Sequence, residues 1–229
     1  MTKFVRVIDT KRCMGCRSCV AACHVENHLT PDSPWNVMME FETGTYPNVG
    51  RQFTTMNCMH CEHPPCKLAC DAIGVKAITK NEFGVVLIDY DKCIGCQYCA
   101  AVCPYGVPQY NEKVENLYPG AEATPAEDRS KGHWHPTHLK KAKTVQKCTF
   151  CWHKLEKAVE KGETHLIGKV PEYTPTCDLV CPVEARVFGD IEDPNSKPAQ
   201  WVGRKKATQL KKEFGTRPQV YYVLEGGDY

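Results

Sequence analysis

The chain has 229 residues and a formal net charge of +2, which is enough length for one large domain or two small ones. Its basic runs are short, which excludes a strongly basic nucleic-acid-binding protein, so we expect no nucleic acid among its partners. The first thirty residues lack the apolar segment of an export signal, and the longest strongly apolar stretch, residues 85–88, is far too short to span a membrane. We therefore expect a soluble polypeptide with no membrane-spanning segment and no targeting signal of its own.

Cysteine is the most informative residue type, because sixteen cysteines fall into four groups of four. Each group has the form C-x2-C-xn-C-x3-C, in which n is 2, 4, 2 and 25 in chain order. The groups are Cys13, Cys16, Cys19 and Cys23; Cys58, Cys61, Cys66 and Cys70; Cys93, Cys96, Cys99 and Cys103; and Cys148, Cys151, Cys177 and Cys181. The constant first and last intervals indicate an internal repeat.

The first and third groups also share the segment that leads into them, since "VIDTKRCMGCRSCVAAC" aligns with "LIDYDKCIGCQYCAAVC" without a gap. Both segments predict a short strand, a turn at an aspartate, a cysteine loop and then a helical turn. Gly15 and Gly95 lie where a positive φ would let backbone N–H groups approach the sulfurs.

A polar insertion, residues 111–146, separates the third group from the fourth and contains His133, His135 and His138. Histidines can ligate a metal or haem, but a surface loop that contacts a partner is the better interpretation of this Pro- and Gly-containing segment. The sequence therefore predicts a docking loop here and not a further metal site.

The fourth group opens with "KCTFC", and the next residues, "WHKLEKAVEKG", predict a short amphipathic helix. Trp152, Leu155 and Val159 would face the core, and Gly162 would end the helix. The tail, residues 196–229, is rich in lysine and then contains "PQVYYVL", which predicts a strand. We expect this tail to contact a partner.

Four further histidines adjoin the cysteine groups and are candidate hydrogen-bond donors to sulfur, with ordinary surface histidine as the alternative. They are His24, His60, His63 and His153. No phosphate loop, dinucleotide fingerprint or nucleophile–base motif appears in the sequence, so we expect no flavin or nicotinamide site.

The spacing favours iron-sulfur clusters over zinc. Zinc sites commonly combine two separate C-x2-C pairs, whereas C-x2-C-x2-C-x3-C places four thiolates within eleven residues in two of these groups. An oxidised four-iron cluster with four cysteinates carries about two negative charges, so the small excess of Lys and Arg is interpreted as counter-charge. A zinc-stabilised interaction scaffold is the competing hypothesis, and metal content separates the two.

In bacterial ferredoxins the last cysteine of such a run binds the other cluster of a pair, since it points away from the first three. The second and third groups are neighbours and pair most simply with each other, which leaves the first and fourth as the other pair. The hypothesis is four closed [4Fe-4S] sites, which transfer electrons and need no catalytic residue in this chain. They are the Cys13 site (Cys13, Cys16, Cys19, Cys181), the Cys23 site (Cys23, Cys148, Cys151, Cys177), the Cys58 site (Cys58, Cys61, Cys66, Cys103) and the Cys70 site (Cys70, Cys93, Cys96, Cys99).

These groups, together with "HCEHPPC", "CPYG", "KCTFC" and "CPVEARVFGDIEDP", resemble the four-cluster electron-transfer subunits of dimethyl sulfoxide reductase superfamily molybdopterin oxidoreductases, over about residues 3–195. The style is similar to the subunits of polysulfide, thiosulfate, tetrathionate and arsenate reductases. The resemblance implies anaerobic respiration, with a catalytic partner holding a molybdenum or tungsten bis-pterin and a membrane anchor, quinone subunit or cytochrome as the second partner. It also implies a row of clusters with the Cys13 site nearest the catalytic partner and the Cys70 site farthest from it.

The resemblance further implies a position peripheral to the cytoplasmic membrane, on the periplasmic side by export with the catalytic subunit, with the cytoplasm as the alternative. A free-standing polyferredoxin would keep the chemistry without the partners. The expected fold is α+β, with two bacterial-ferredoxin-like modules, one inserted in the other, organised around four clusters with little conventional core. The split module comprises residues 1–56 and 147–195, and the inserted module comprises residues 57–110.

Overall fold

The computed structural model describes residues 2–113 and 135–224, and in these ranges short helices alternate with short strands. The helices are α1 (Ser18–Glu26), α2 (Pro65–Ala72), α3 (Tyr98–Ala101), α4 (Trp152–Glu160), α5 (Thr176–Leu179) and α6 (Lys197–Arg204). The strands are β1 (Phe4–Asp9), β2 (Asn36–Thr45), β3 (Asn48–Asn57), β4 (Ile78–Lys80), β5 (Val86–Ile88), β6 (Gln109–Asn111), β7 (Thr144–Gln146), β8 (Arg186–Asp190) and β9 (Val220–Val223). The α+β class is as predicted.

Strand β1 is the centre of a three-stranded sheet of order β8-β1-β9. β8 pairs with β1 antiparallel and β9 pairs with it parallel, and every residue of β1 is buried. Burial on both faces explains why this strand is nearly continuous in apolar residues. Because β1 leads into the first cysteine group and β8 follows the last one, the sheet holds the first and fourth groups close together.

The strand predicted from "PQVYYVL" is β9, and Val220, Tyr222 and Val223 in it are buried. The backbone N–H of Arg6 donates to the carbonyl of Gln219 at 3.0 Å. This part of the tail belongs to the core of its own chain, because pairing with β1 satisfies its backbone and buries its apolar side chains. The expectation of partner contact is therefore wrong for β9 and stays a prediction for the rest of the tail.

Strands β1 and β5 each lead into a cysteine loop that is followed by a helix, α1 or α3, as the repeat predicts. Gly15 and Gly95 in these loops have φ of 72° and 69°. A Cβ at Gly95 would also collide with the carbonyl oxygen of Lys143, so this position requires glycine for space as well as for conformation.

A conventional apolar core is present and is larger than expected. Phe4, Trp35, Phe150, Leu155 and Tyr222 are buried in one cluster, which also contains several of the cysteines. The expectation of little conventional core is therefore wrong. The core could not be recognised in the sequence, because its apolar residues are scattered through many short segments that come together only in the fold.

Helix α4 confirms the predicted amphipathic helix. Trp152 and Leu155 are buried, Val159 is half-buried against the core, and Gly162 follows with φ of 70°. Over residues 2–113 and 135–224, none of the helices has the length and apolar character needed to cross a bilayer.

Strands β2 and β3 form a hairpin of ten residue pairs, here called the arm (residues 36–57). Its base packs on the first cysteine group, since a Cβ at Gly15 would lie 2.7 Å from the ring of Phe53. Residues 40–51 are all exposed, and Tyr46 at the turn is 92% exposed. A two-stranded hairpin without packing on a face is marginally stable in water, so the outer half of the arm is suited to packing on another surface.

Candidate metal centres

Three cavities of similar size are each lined by four cysteines. The lining cysteines are those of three predicted sets: Cys58, Cys61, Cys66 and Cys103; Cys70, Cys93, Cys96 and Cys99; and Cys13, Cys16, Cys19 and Cys181. The fold thus brings thiols that are distant in sequence, such as Cys13 and Cys181, around a common space.

The fourth set, Cys23, Cys148, Cys151 and Cys177, is also drawn together. Burial raises the pKa of the Cys23 thiol well above its ordinary value, and the nearby thiols of Cys177, Cys148 and Cys151 raise it further. All four of these cysteines are buried, whereas each other set has a partly or fully exposed member. The Cys23 site is therefore enclosed in the protein.

Backbone N–H groups donate to the sulfurs from loops with left-handed conformations. The N–H of His60 lies 3.5 Å from Cys58 Sγ, and the N–H of Phe150 lies 3.4 Å from Cys148 Sγ. His60 and Phe150 have φ of 45° and 56°, the conformation that glycine supplies in the first and third groups. These turns cannot be predicted from the sequence, because glycine is the residue type that indicates a positive φ. A positive φ at another residue type costs about 1–3 kcal/mol in backbone strain.

Burial raises the pKa of several of the buried thiols. It raises the pKa of Cys61 and Cys66 to about 12, and that of Cys177 and Cys99 to about 11. A metal ligand is the thiolate, so cluster binding displaces these protons, and folding is coupled to metal loading.

The geometry fits a cluster and not a single ion. Among residues 2–113 and 135–224, no group of three or more Cys, His, Asp or Glu side chains is arranged to hold one metal ion. Zinc would draw four sulfurs to one point at about 2.3 Å, whereas in a cluster each thiolate binds a different iron and the sulfurs surround a space. The cavities lined by four cysteines therefore favour a cluster over a single zinc ion.

Two buried arginines lie against the Cys23 site, and one of them also reaches the Cys13 site. Nη2 of Arg6 and Nη2 of Arg186 donate to Cys177 Sγ at 3.2 and 3.5 Å, and both side chains pair with the buried carboxylate of Asp178 at 2.6 and 3.0 Å. Arg186 also lines the cavity of the Cys13 site. The two guanidinium groups share the single carboxylate of Asp178, so an excess of positive charge faces Cys177.

Two lysines are buried in the same region, and sequence reasoning missed both. Lys147 donates to the carbonyls of Val86 and Cys148 and lines the cavity of the Cys58 site. Lys140 donates to two carbonyls just beyond α1, and burial lowers its pKa to about 7. Within the described ranges, neither lysine pairs with a carboxylate. Lysine is normally a surface residue, so its position in the "KCTFC" motif is the one sequence feature that could have indicated a role for Lys147.

Among the histidines that adjoin the cysteines, the imidazole rings of His60 and His153 contact groups other than sulfur. Nδ1 of His60 accepts a hydrogen bond from a backbone N–H of β5 at 3.0 Å, and Nε2 of His153 pairs with the Glu26 carboxylate at 2.7 Å. In the part of the chain that the structure describes, neither these imidazoles nor those of His24 and His63 hydrogen-bond a cysteine sulfur. The interpretation as donors to cysteine sulfur therefore gains no support, and the alternative of ordinary surface histidine does not fit His60 and His153, which are both buried.

The insertion is partly folded onto the body of the chain. The ring of His138 lies 4.2 Å from that of His153, Nε2 of His135 pairs with Glu156 at 2.5 Å, and β7 pairs with β6. His138 is buried, so the expected surface loop is wrong for this residue. His133 lies outside the described residues.

Two protein-family profiles, both described as "4Fe-4S dicluster domain", match residues 49–119 and 85–156. A selenate reductase subunit of Mesobacillus selenatarsenatis is 36% identical over 226 residues, which cover 96% of this chain and 72% of that protein. The arsenate respiratory reductase iron-sulfur subunit ArrB of Shewanella sp. is 35% identical over 242 residues, covering 96% of each chain. The menaquinone reductase iron-sulfur cluster-binding subunit of Nitratidesulfovibrio vulgaris is 32% identical over 238 residues, covering 96% of this chain and 88% of that one. With the cysteine pattern and its geometry, these matches identify [4Fe-4S] clusters as the cofactors.

Proposed function

This chain belongs to the iron-sulfur electron-transfer subunits of the dimethyl sulfoxide reductase superfamily, and we propose that it relays electrons through four clusters between a molybdopterin catalytic subunit and a membrane quinone-linked or cytochrome partner. It is a subunit of a reductase complex and is not catalytic alone. The observation that carries the proposal is the convergence of sixteen cysteines on four sites, three around cavities and one enclosed.

The proposed ligand sets are the four sites as defined above, one [4Fe-4S] cluster in each. Each set supplies four thiols, one for each iron of its cluster, so each cluster is closed to substrate. A closed cluster exchanges electrons only, which agrees with a relay and leaves no substrate-binding iron in these sites.

The order of the row follows from elements that neighbouring sites share. Helix α1 carries Cys19 of the Cys13 site and Cys23 of the Cys23 site, and Arg186 touches both sites. Lys147 lines the Cys58 cavity and directly precedes Cys148 of the Cys23 site. Helix α2 carries one ligand of the Cys58 site and one of the Cys70 site. The proposed order is therefore Cys13, Cys23, Cys58 and Cys70 site.

Exposure supports the two end sites as the points of electron exchange. Cys16 and Cys96 are exposed, one in the Cys13 site and one in the Cys70 site, and each has an apolar neighbour on the surface. Met14 is 60% exposed and Ile94 is 66% exposed. We assign the Cys13 end to the catalytic subunit and the Cys70 end to the membrane or cytochrome partner. The likeness to a subunit named for menaquinone reductase supports a quinone-linked partner at that end.

The arm is the proposed docking element for the catalytic subunit. It is rooted on the Cys13 site, because Met38 and Thr55 near its base line that cavity. A protein that exchanges electrons at the exposed edge of this cluster must approach closely, so its surface lies beside the arm. The outer half of the arm then gains the packing that it lacks in this chain, with Tyr46 as an aromatic anchor of the kind enriched in interfaces.

We also propose the division into a split module, residues 1–56 and 147–195, and an inserted module, residues 57–110. Its support is that the Cys58 and Cys70 sites use only cysteines 58–103, whereas the other two sites use only cysteines 13–23 and 148–181. The β6–β7 pairing adds residues 144–146 to the inserted module.

The test of the function is anaerobic purification of the native complex, followed by analysis of metals and companion chains. The proposal predicts about sixteen iron atoms per chain, molybdenum or tungsten in a co-purifying subunit, and reduced-cluster signals in electron paramagnetic resonance (EPR) spectra. Zinc in place of iron would indicate a scaffold, and a fully loaded chain without partners would indicate a free-standing polyferredoxin; either result would overturn the proposal.

The proposed location is the periplasmic face of the cytoplasmic membrane, reached by export with the catalytic subunit. Fractionation of cells with and without the export signal of that subunit tests this. Retention of both chains in the cytoplasm of unmodified cells would support the cytoplasmic alternative instead.

A further inference from the structure

We propose that Lys147 is a counter-ion shared by the clusters of the Cys58 and Cys23 sites, and that its charge raises the reduction potentials of both. The inference rests on the proposed function, since it takes the four ligand sets as given. It assigns a role to a residue that binds no iron.

The position of Lys147 supports a counter-ion shared by the Cys58 and Cys23 sites. Its side chain lines the cavity of the Cys58 site, where, among the described residues, it is the charged member of an otherwise uncharged lining. Its backbone is bonded directly to Cys148, a ligand of the Cys23 site, and its Nζ donates to the carbonyl of Cys148 at 3.2 Å. One ammonium group thus faces one cluster and is anchored on the chain that holds the next.

The burial of Lys147 makes its charge effective. The residue is 2% exposed, and its ammonium group is satisfied by the carbonyls of Val86 and Cys148. Carbonyl oxygens solvate the charge but do not cancel it, and within residues 2–113 and 135–224 no carboxylate pairs with it. A buried and uncompensated lysine is costly unless an anion lies nearby. The cysteinate-bound clusters are the anions that this fold supplies.

The Cys70 site provides the internal contrast. Its cavity is lined by apolar residues and Gln97, with no charged side chain among the described residues. Its sulfurs accept hydrogen bonds from backbone N–H groups, among them those of Ala77 and Val145 at 3.2 and 3.5 Å. Lys147 is therefore a feature of the middle of the row and not of every site.

The sign of the effect follows from charge. Reduction adds an electron to a cluster that is already anionic, so a nearby cation stabilises the reduced state more than the oxidised one. The low dielectric of the interior strengthens this term, and hydrogen bonds and charges around the sulfurs are recognised levers on cluster potential. Neutralising Lys147 therefore lowers both potentials.

The experiment is an EPR-monitored redox titration of the purified complex with Lys147→Gln, in which the amide still donates to the carbonyls but carries no charge. The expected result is a shift of two of the four midpoint potentials to more negative values, with the other two unchanged. Lys147→Arg keeps the charge and is expected to leave all four potentials near those of the unmodified complex. Lys147→Met provides a second neutral variant if the glutamine variant assembles poorly.

Two controls test whether the shift is specific. Lys140→Gln removes the other buried lysine, whose contacts lie just beyond α1, where the Asn27 side chain donates to Cys23 Sγ at 3.6 Å. It is expected to shift the potential of one cluster, that of the Cys23 site. Lys161→Gln removes an exposed charge and is expected to shift none.

Unchanged potentials in Lys147→Gln with full iron content would overturn the inference, and so would an equal shift of all four clusters, which indicates a general loosening of the fold. These outcomes differ from failure of the proposed function, which would show in the unmodified complex as missing clusters or missing partners.

Discussion

The Cys23 site, inside the proposed row, and the Cys70 site, at one end of it, are built in different ways. The Cys23 site is fully enclosed, with Arg6 and Arg186 against one of its sulfurs. The Cys70 site has an apolar lining and an exposed cysteine, Cys96. A buried charge beside a cluster changes the reduction potential of that cluster, whereas an apolar surface around an exposed cysteine lets a partner protein approach closely. The comparison indicates that buried charge tunes the cluster potential at the Cys23 site, whereas the Cys70 site is suited to contact with a partner.

The strongest test of this contrast is Cys177→Ser in the enclosed site. Loss of this ligand removes a cluster and leaves the two buried arginines, Arg6 and Arg186, with the single carboxylate of Asp178 to balance them. We expect failure to accumulate folded, iron-loaded protein, because folding is coupled to metal binding and an uncompensated buried charge is costly. Anaerobic expression followed by iron analysis and size-exclusion chromatography measures the outcome.

The matched variant is Cys181→Ser, which removes a partly exposed ligand of the Cys13 site. We expect a folded protein that lacks one cluster and keeps the other three. Loss of the cluster held by Cys148 and Cys151, with the Cys13 cluster intact, would contradict the crossed pairing of the first and fourth groups.

The next effect concerns Asp178, the buried carboxylate between the two arginines. Asp178→Asn removes the carboxylate with which both guanidinium groups pair and leaves the cluster at Cys177 as their remaining counter-charge, so we expect a loss of about 3–5 kcal/mol in stability. Thermal unfolding of the loaded protein under argon measures the change. Glu40→Gln breaks an exposed pair with Arg51 and is expected to cost about 1 kcal/mol or less. Equal losses in the two variants would remove the distinction between interior and surface charge.

Much of this architecture is predictable from the sequence, and the reasons are local. The cysteine spacing and the shared approach to the first and third groups predict the strand–loop–helix units, and periodicity predicts α4. The strand in "PQVYYVL" is also predictable, since a run of β-branched and aromatic residues is typical of a strand. Each of these signals lies within a single short stretch of chain.

The rest depends on contacts between distant segments. Nothing near Val220 shows that β9 pairs with β1, and nothing near Lys147 shows that its ammonium group lies beside a cavity formed by other parts of the chain. The turns at His60 and Phe150 escaped prediction for a different reason: the fold sustains a positive φ there without glycine. The core was underestimated because no single segment displays it.

At the Cys13 end, removing the outer arm tests contact separately from cluster chemistry. Replacement of residues 42–51 by Asn-Gly closes the hairpin early at the pair of Phe41 and Gln52. We expect all four clusters to remain and the affinity for the catalytic subunit to fall by about 2 kcal/mol or more, roughly thirtyfold. Binding of the two purified subunits, measured anaerobically, checks this. Tyr46→Ser alone should reproduce part of the loss, and unchanged binding in both variants would show that the arm is not the docking element.

The smallest effects are expected at the apolar rims, and they separate the two ends of the row. Ile94→Ser and Met14→Ser change exposed side chains, so each should alter stability by no more than about 0.5 kcal/mol. Ile94→Ser should weaken contact with the quinone-linked or cytochrome partner by about 1 kcal/mol, roughly fivefold, and leave electron exchange with the catalytic subunit unchanged. Met14→Ser should do the reverse. Stopped-flow measurement of each half-reaction in the assembled complex distinguishes them, and the same half-reaction slowed by both variants would mean that the exposed cysteines do not mark opposite ends of the relay.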